Sequence, residues 1–419
     1  MRATLNRYTC ADRPSLSTLF LTLTIGLACG LSPSLSKTVR AAEPAPKQAN
    51  GLDRKAAAEG WIRLFDGETT FGWTANSKDV NWSVADGEVK ADRGEPGLLV
   101  TTTEFADFEL VCDCWLEAKG NSGIFVRTLP NPKSVTADCY EINLCDNHPQ
   151  KFNTGSLVGV SPPTKQIVGT GAWKHFHVLC DGPRVVVKVN GEVVQDYTDT
   201  RPEAKALSRG RIGLQKNQGL AKYRNIYLKP LGTQNLFNGK DLAGWRVVPG
   251  GKSVFTVRDK AIHVANGRGF LETEATYADF IIQAEIKTNG PGLNSGIFFR
   301  AQPGTAEAPS NGYEAQVHNL FKDNDPTKPA DFGTGGIYRR VPARRVSAQD
   351  GEWFTLTVAA HGTHIAAWVD GDQVTDWIDP RKPNPNPREG STTAAGHFSL
   401  QGHDPTTDLL FRNLRVAGK

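Results

Sequence analysis

The sequence predicts an all-β protein built from two tandem antiparallel β-sandwiches of jelly-roll type, preceded by an export signal. Three observations carry this prediction. Apolar and polar residues alternate in short runs, the period of a half-buried strand. The runs are separated by Gly, Pro, Asn and Asp, and pairs such as Asn190-Gly191 between VVVKV and EVV, or Asp370-Gly371 between IAAWV and DQV, supply the positive φ angles of tight hairpins. Finally, the chain repeats itself, with no capped amphipathic helix of any length in either copy.

In chain order, residues 1–42 read as a signal peptide. Arg2, Arg7 and Arg13 precede an apolar run from Leu16 to Leu31, with small residues at Ala41 and Ala42. The run is interrupted by Thr, Gly and Ser and is too short for a membrane span. Cleavage near Ala41 or Ala42 predicts a periplasmic or extracellular protein. Lipid anchoring at Cys29 is the lesser reading, because Gly26 stands where a lipoprotein signal usually has Leu. Residues 43–59 read as an Ala/Pro-rich linker. The leader carries the whole formal charge of +4, so the remainder is about neutral. That gives no argument for nucleic acid or anionic lipid as a partner.

The two copies, 60–231 and 232–418, share landmarks in the same order. LFDG at Leu64 answers LFNG at Leu236, and Gly72-Trp73 answers Gly244-Trp245. Asn121 to Arg127 (NSGIFVR) answers Asn294 to Arg300 (NSGIFFR), Tyr140-Glu141 answers Tyr313-Glu314, and Leu214-Gln215 answers Leu400-Gln401. The offset grows from 172 to 188 residues as loops lengthen in the second copy. Trp73, Trp82, Trp245 and Phe255 are expected in the cores. Five cysteines follow the leader, all in the first copy: Cys112, Cys114, Cys139, Cys145 and Cys180. Their partners in the second copy include Ala284, Ile286 and Ala360, so buried thiols are expected, with a bridge between neighbouring strands the alternative. Paired zinc-ligand spacing is absent.

Splitting the alternating strands into faces isolates a polar set. Tyr313, Ala315 and Val317 face a core, which leaves Glu314, Gln316 and His318 opposite. Asn294 and Arg300 from the neighbouring strand, and Gln401 and His403 from the LQ strand, are expected on the same face. The first copy offers Asn121, Arg127, Glu141, Asn143 and Gln215, with Cys145 and Asn217 where the second has His318 and His403. A solvated outer sheet face would account for some of this, but outer faces favour Thr, Lys and Glu over repeated amides and imidazoles. A paired-carboxylate glycosidase would need a second acid. Laminarinase-like jelly rolls place theirs along one strand, where here stand Asn143 and Cys145, or Gln316 and His318. The reading is one carboxylate as general base among hydrogen-bond donors.

At these residues each copy resembles the 3-keto-disaccharide hydrolase family. The resemblance implies a concanavalin-like jelly roll in exported bacterial proteins, acting on glycosides already oxidised at C3. A C3 ketone acidifies the C2 proton and puts the C1 leaving group β to the carbonyl, so one base suffices to start elimination. The expected roles are Glu314 (or Glu141) as base, Arg300 (or Arg127) with Gln401 (or Gln215) on the enolate oxygen, and His318 or His403 as proton donor. A divalent ion is an alternative stabiliser, with Asp146, His148, His318 and His403 as candidate ligands. The second copy keeps more groups able to transfer protons. The competing reading is a lectin-like binding protein that uses the same amides on sugar hydroxyls.

Overall fold

The computed structural model describes residues 51–308 and 311–418. The expected signal peptide lies outside the described residues. Each copy folds as two facing antiparallel sheets. In the first, Trp73–Ala75, Gly97–Thr101, Arg211–Lys216, Ser122–Thr128 and Tyr140–Leu144 form a five-stranded sheet in that spatial order. The second copy repeats it with Trp245–Val247, Gly269–Tyr277, Gly396–Gly402, Ser295–Ala301 and Tyr313–Val317. A larger eight-stranded sheet backs each one, and the alternating residues of both sheets interdigitate as the core. In the second core Phe280 meets Phe299 and Phe398 edge to face, at 5.6 and 4.7 Å between ring centres. No helix among the described residues is long and apolar enough to cross a membrane.

Several repeated landmarks turn out to be braces of the fold. Trp73 and Trp245 are buried and each indole N–H donates to the carbonyl of Leu64 or Leu236, which ties the GW landmark to the LF landmark. Trp82 and Phe255 pack more loosely against the two cores. Gly155 and Gly335 adopt φ of +87° and +85°, and a Cβ there would lie 2.4 and 2.6 Å from Val194 and Val374. The hydroxyls of Thr154 and Thr334 just before them cap the ends of the Tyr140–Leu144 and Tyr313–Val317 strands.

Two features differ from the sequence reading. The end of the expected linker is a short helix, Arg54–Ala58, because Asp53 caps an alanine-rich run and Ala57 is buried. This segment docks on the second sandwich through Arg415 to the Ala58 carbonyl and Gln283 to the Gly60 carbonyl. The outer face of the second large sheet is likewise covered. Ile281, Ala359, Ala366 and Trp368, which alternation alone would send to solvent, join the core cluster of the first sandwich. Asp372 lies 2.6 Å from both Arg63 and Arg345 at this junction, and His361 sits 3.4 Å from Glu104 of the first copy and from Asp279 of the second. The five cysteines are buried free thiols. Cys112 and Cys114 point into the core from one strand with their sulfurs 3.6 Å apart, and burial pushes the Cys180 thiol up to about 12.

Candidate functional site

The register of each five-stranded sheet defines which side chains share its outer face, since directly paired residues point the same way. In the second copy Arg246, Glu272, Ser399, Phe298 and Glu314 pair in turn across all five strands. In the first copy the same row reads Thr74, Val100, Gly213, Phe125 and Glu141. The adjacent positions are Phe270, Gln401, Gly296 and Gln316 in the second copy and Leu98, Gln215, Gly123 and Asn143 in the first. Both faces therefore keep one phenylalanine, one glutamate, one glutamine and a second amide around a glycine.

The glycine makes room for the glutamate and, in the first copy, lets it meet the glutamine. A Cβ on Gly123 would lie 3.4 Å from Glu141 Cγ and 3.5 Å from Gln215 Oε1, and one on Gly296 would lie 2.9 Å from Glu314 Cγ and Oε1. The gap lets side chains from strands on either side of it approach each other. Burial pushes the Glu141 carboxyl up to about 7, against the pull of the Gln215 amide. Burial also raises Glu314, opposed chiefly by Arg388, whose Nη2 donates to Glu314 Oε2 at 3.1 Å. The His403 ring further favours the Glu314 carboxylate, while Asp331 disfavours it. Arg388 also lies over the Phe298 ring at 4.9 Å. It stands on the Arg381–Gly396 connection, which is longer than the matching Arg201–Gly210 connection of the first copy.

Polar acceptors on both faces are buried without a donor. They are Gln316 Oε1, Gln401 Oε1 and Ser399 Oγ in the second copy, and Asn143 Oδ1 and Gln215 Oε1 in the first. Gln316 Nε2 donates to Asp331, as does Asn294 Nδ2, and Asn143 Nδ2 donates to the Phe152 carbonyl, so the Gln316 and Asn143 amide oxygens point away from these anchors. Asn121 also keeps a buried, unpaired Oδ1. Beside the second face opens a cavity of about 440 Å³ lined by Val248, Phe270, Lys252, Arg268, His403 and Asp404, among others. His403 is partly exposed and its Nδ1 lies 2.9 Å from Asp404, whose carboxyl is held at about 2, first by the Thr406 hydroxyl.

Arg127 and Arg300, expected on this face, are elsewhere. A β-bulge ends the alternation before each of them, at φ of 50° and 48°. Arg300 turns into the end of the sandwich and donates to the carbonyls of Ala278, Gly362 and Thr392 and to Asp279. Arg127 does the same to Ala106, Gly182, Leu207 and Asp107. Both are buried structural clasps. Gly210 and Gly396 permit the bulges, since a Cβ there would lie 2.4 Å from the Arg127 or Arg300 carbonyl carbon. His318, one residue beyond the strand, points Nδ1 to the Leu293 carbonyl at 3.3 Å.

The face also holds a second carboxylate in the second copy. Alternation along one strand does not reveal Glu272, because it lies three strands away from Glu314. At about 4.8 Å per strand the two backbones are about 14 Å apart, beyond the spacing of paired glycosidase acids. Its oxygens are taken by Arg246 and by the Gly304 N–H. The expected metal ligands do not form a set either. The Asp146 oxygens accept from Thr154, Thr170, the Gly169 N–H and Lys174, and among the described residues no three such groups converge.

The sequence model of the 3-keto-alpha-glucoside-1,2-lyase-like domain matches residues 60–229 and again 232–417. The chain belongs to this family. A relative named 3-keto-disaccharide hydrolase, from Bacteroides thetaiotaomicron, is 29% identical over 195 residues, covering 39% of this chain and 66% of that protein. The chain thus spans just under two thirds of that relative. Among solved structures, a candidate glycosyl hydrolase from Parabacteroides distasonis is 25% identical over 44% of this chain and all of its own, with a TM-score of 0.40. The carbohydrate-binding module CBM66 from Bacillus subtilis is 15% identical over 38% of this chain and 95% of its own, with a TM-score of 0.31.

Proposed function

We propose that this family member is an exported carbohydrate-active enzyme that cleaves 3-keto-glycosides at the outer face of the second sandwich. One observation carries the reading: the raised Glu314 carboxyl lies 3.1 Å from Arg388, among buried acceptors that lack donors. Sugar hydroxyls are the donors such a face calls for, and a base beside a guanidinium is what enolate chemistry calls for.

In the proposed reaction the ketone oxygen replaces Glu314 as the partner of Arg388, which frees the carboxylate. Glu314 takes the C2 proton, and the C–H electrons form C2=C3 while the carbonyl electrons move onto the oxygen held by Arg388 and Gln401. Their return breaks the C1–O bond, and the departing aglycone oxygen takes a proton from His403. Water then adds to the C1=C2 double bond. Its oxygen bonds to C1, one of its protons restores His403, and Glu314 returns a proton to C2. The net change is hydrolysis.

Incubating the full chain with 3-keto-trehalose and with trehalose, and following released glucose, tests this. Release from the keto sugar alone is expected. Release from neither, with saturable binding of plain glycans, would replace the enzyme reading with a binding one. A chelator arm separates metal-assisted from metal-free turnover.

A further inference from the structure

We infer that the first sandwich holds a second carbohydrate site, one that binds a neutral sugar ring without cleaving it. The site stands where the row Thr74, Val100, Gly213, Phe125 and Glu141 crosses the five-stranded sheet.

Its recognition groups are those a neutral sugar requires. Phe125, Leu98 and Val100 form a buried apolar cluster with Cys139 beside Glu141, which keeps the surroundings of the carboxyl free of competing polar groups. Glu141, the Asn143 Oδ1 and the Gln215 Oε1 are acceptors next to it, with Asn143 only 1% exposed and both amide oxygens without a donor. A buried acceptor left unpaired keeps the cost of its desolvation, which a bound hydroxyl would relieve.

The groups that turn binding into cleavage in the second copy are missing from the first. Thr74 and Val100 stand in place of Arg246 and Glu272, so the row carries no charge except Glu141. Among the described residues no guanidinium hydrogen-bonds to Glu141: Arg201 of the shorter Arg201–Gly210 connection is held by Asp199, and Arg127 is spent as a clasp. Asn217 replaces His403 as the first residue past the strand. An enolate formed here would have neither a cation at its oxygen nor an imidazole at its leaving group. What remains is hydroxyl recognition.

Equilibrium dialysis of the native chain against labelled trehalose, with bound sugar counted per chain at saturation, tests the inference. Two sugars per chain are expected, falling to one in Asn143→Ala. Gln215→Leu serves as the second variant should Asn143→Ala fail to fold, as judged by thermal unfolding. In parallel, Glu314→Gln should lower turnover of 3-keto-trehalose by about 10²- to 10⁴-fold although the first face is intact. An unchanged count in both first-face variants would overturn the site. Turnover that survives Glu314→Gln and is lost on adding Asn143→Ala would overturn its non-catalytic character. If the native chain leaves 3-keto-trehalose uncut, the proposed function fails, while the sugar count still decides the binding site.

Discussion

The two outer faces share a skeleton and differ in charge. Each has a phenylalanine, a glutamate and a glutamine arranged around a glycine, and each buries its glutamate. The second adds Arg246, Glu272, Ser399 and, from a longer connection, Arg388, where the first has Thr74, Val100, Gly213 and nothing. The lesson is that a buried carboxylate takes its chemistry from what faces it. In the proposed reading Glu314 acts as a base with a cation at hand, whereas Glu141 acts as a hydrogen-bond partner for a sugar hydroxyl.

Glu314→Gln gives the widest separation between the faces. Loss of a general base typically removes about 10²- to 10⁴-fold of rate, so kcat on 3-keto-trehalose should drop by that order. Glu141→Gln should cost at least about tenfold less. Equal losses in the two variants would mean that the faces work as equals.

Next comes Arg388→Met. Removing an oxyanion partner typically costs about 10²- to 10³-fold, and kcat/KM should fall accordingly. Because Arg388 favours the ionised form of Glu314, its loss should also move the acidic limb of the kcat/KM profile to higher pH. A limb that stays in place would detach Arg388 from the base.

Stability against pH separates the faces in another way. Glu141 is raised from 4.5 to about 7 in the folded chain, so folding favours its protonated form. The native protein therefore loses stability as pH rises from about 4.5 to about 7, by up to about 3 kcal/mol from this group. Glu141→Gln lacks the ionisation, so its melting temperature should exceed that of the native chain at pH 8 and approach it at pH 4.5. A constant difference across that range would show that Glu141 is not buried as described.

The smallest effect belongs to the glycine between glutamate and glutamine. Gly296→Ala would put a methyl 2.9 Å from the Glu314 carboxylate, against 3.4 Å from Glu141 Cγ in Gly123→Ala. Displacing a base by a fraction of an ångström should lower kcat by about tenfold with little change in melting temperature. Full activity in Gly296→Ala would mean that Glu314 has room to spare.

Much of this was legible in the sequence because its signals are local. Alternation, Asn-Gly hairpins and the internal repeat announced two all-β sandwiches, and period two put Glu314 with Gln316, and Glu141 with Asn143, on one face. The matched LQ landmarks brought in Gln401 and Gln215. Alternation failed where the backbone left its period, and the bulges at Arg127 and Arg300 turned two expected site residues into clasps. A matched Phe/Tyr-Ala-Asp-Phe landmark in each copy, whose Asp107 and Asp279 bind these arginines, was the available hint. Glu272 and Arg246 went unnoticed because their place on the same face as Glu314 follows from strand order. Arg388 was missed because it lies on an irregular connection with no period to read.

The sequence by itself thus determined the strands, the duplication and the shared core of each face, since periodicity and turn chemistry act over a few residues. Only the tertiary structure decided which charges meet across the sheet, and that the outer face of the second large sheet is buried under the first sandwich. Those outcomes depend on contacts between residues far apart in the chain, such as Arg388 with Glu314 and Arg63 with Asp372.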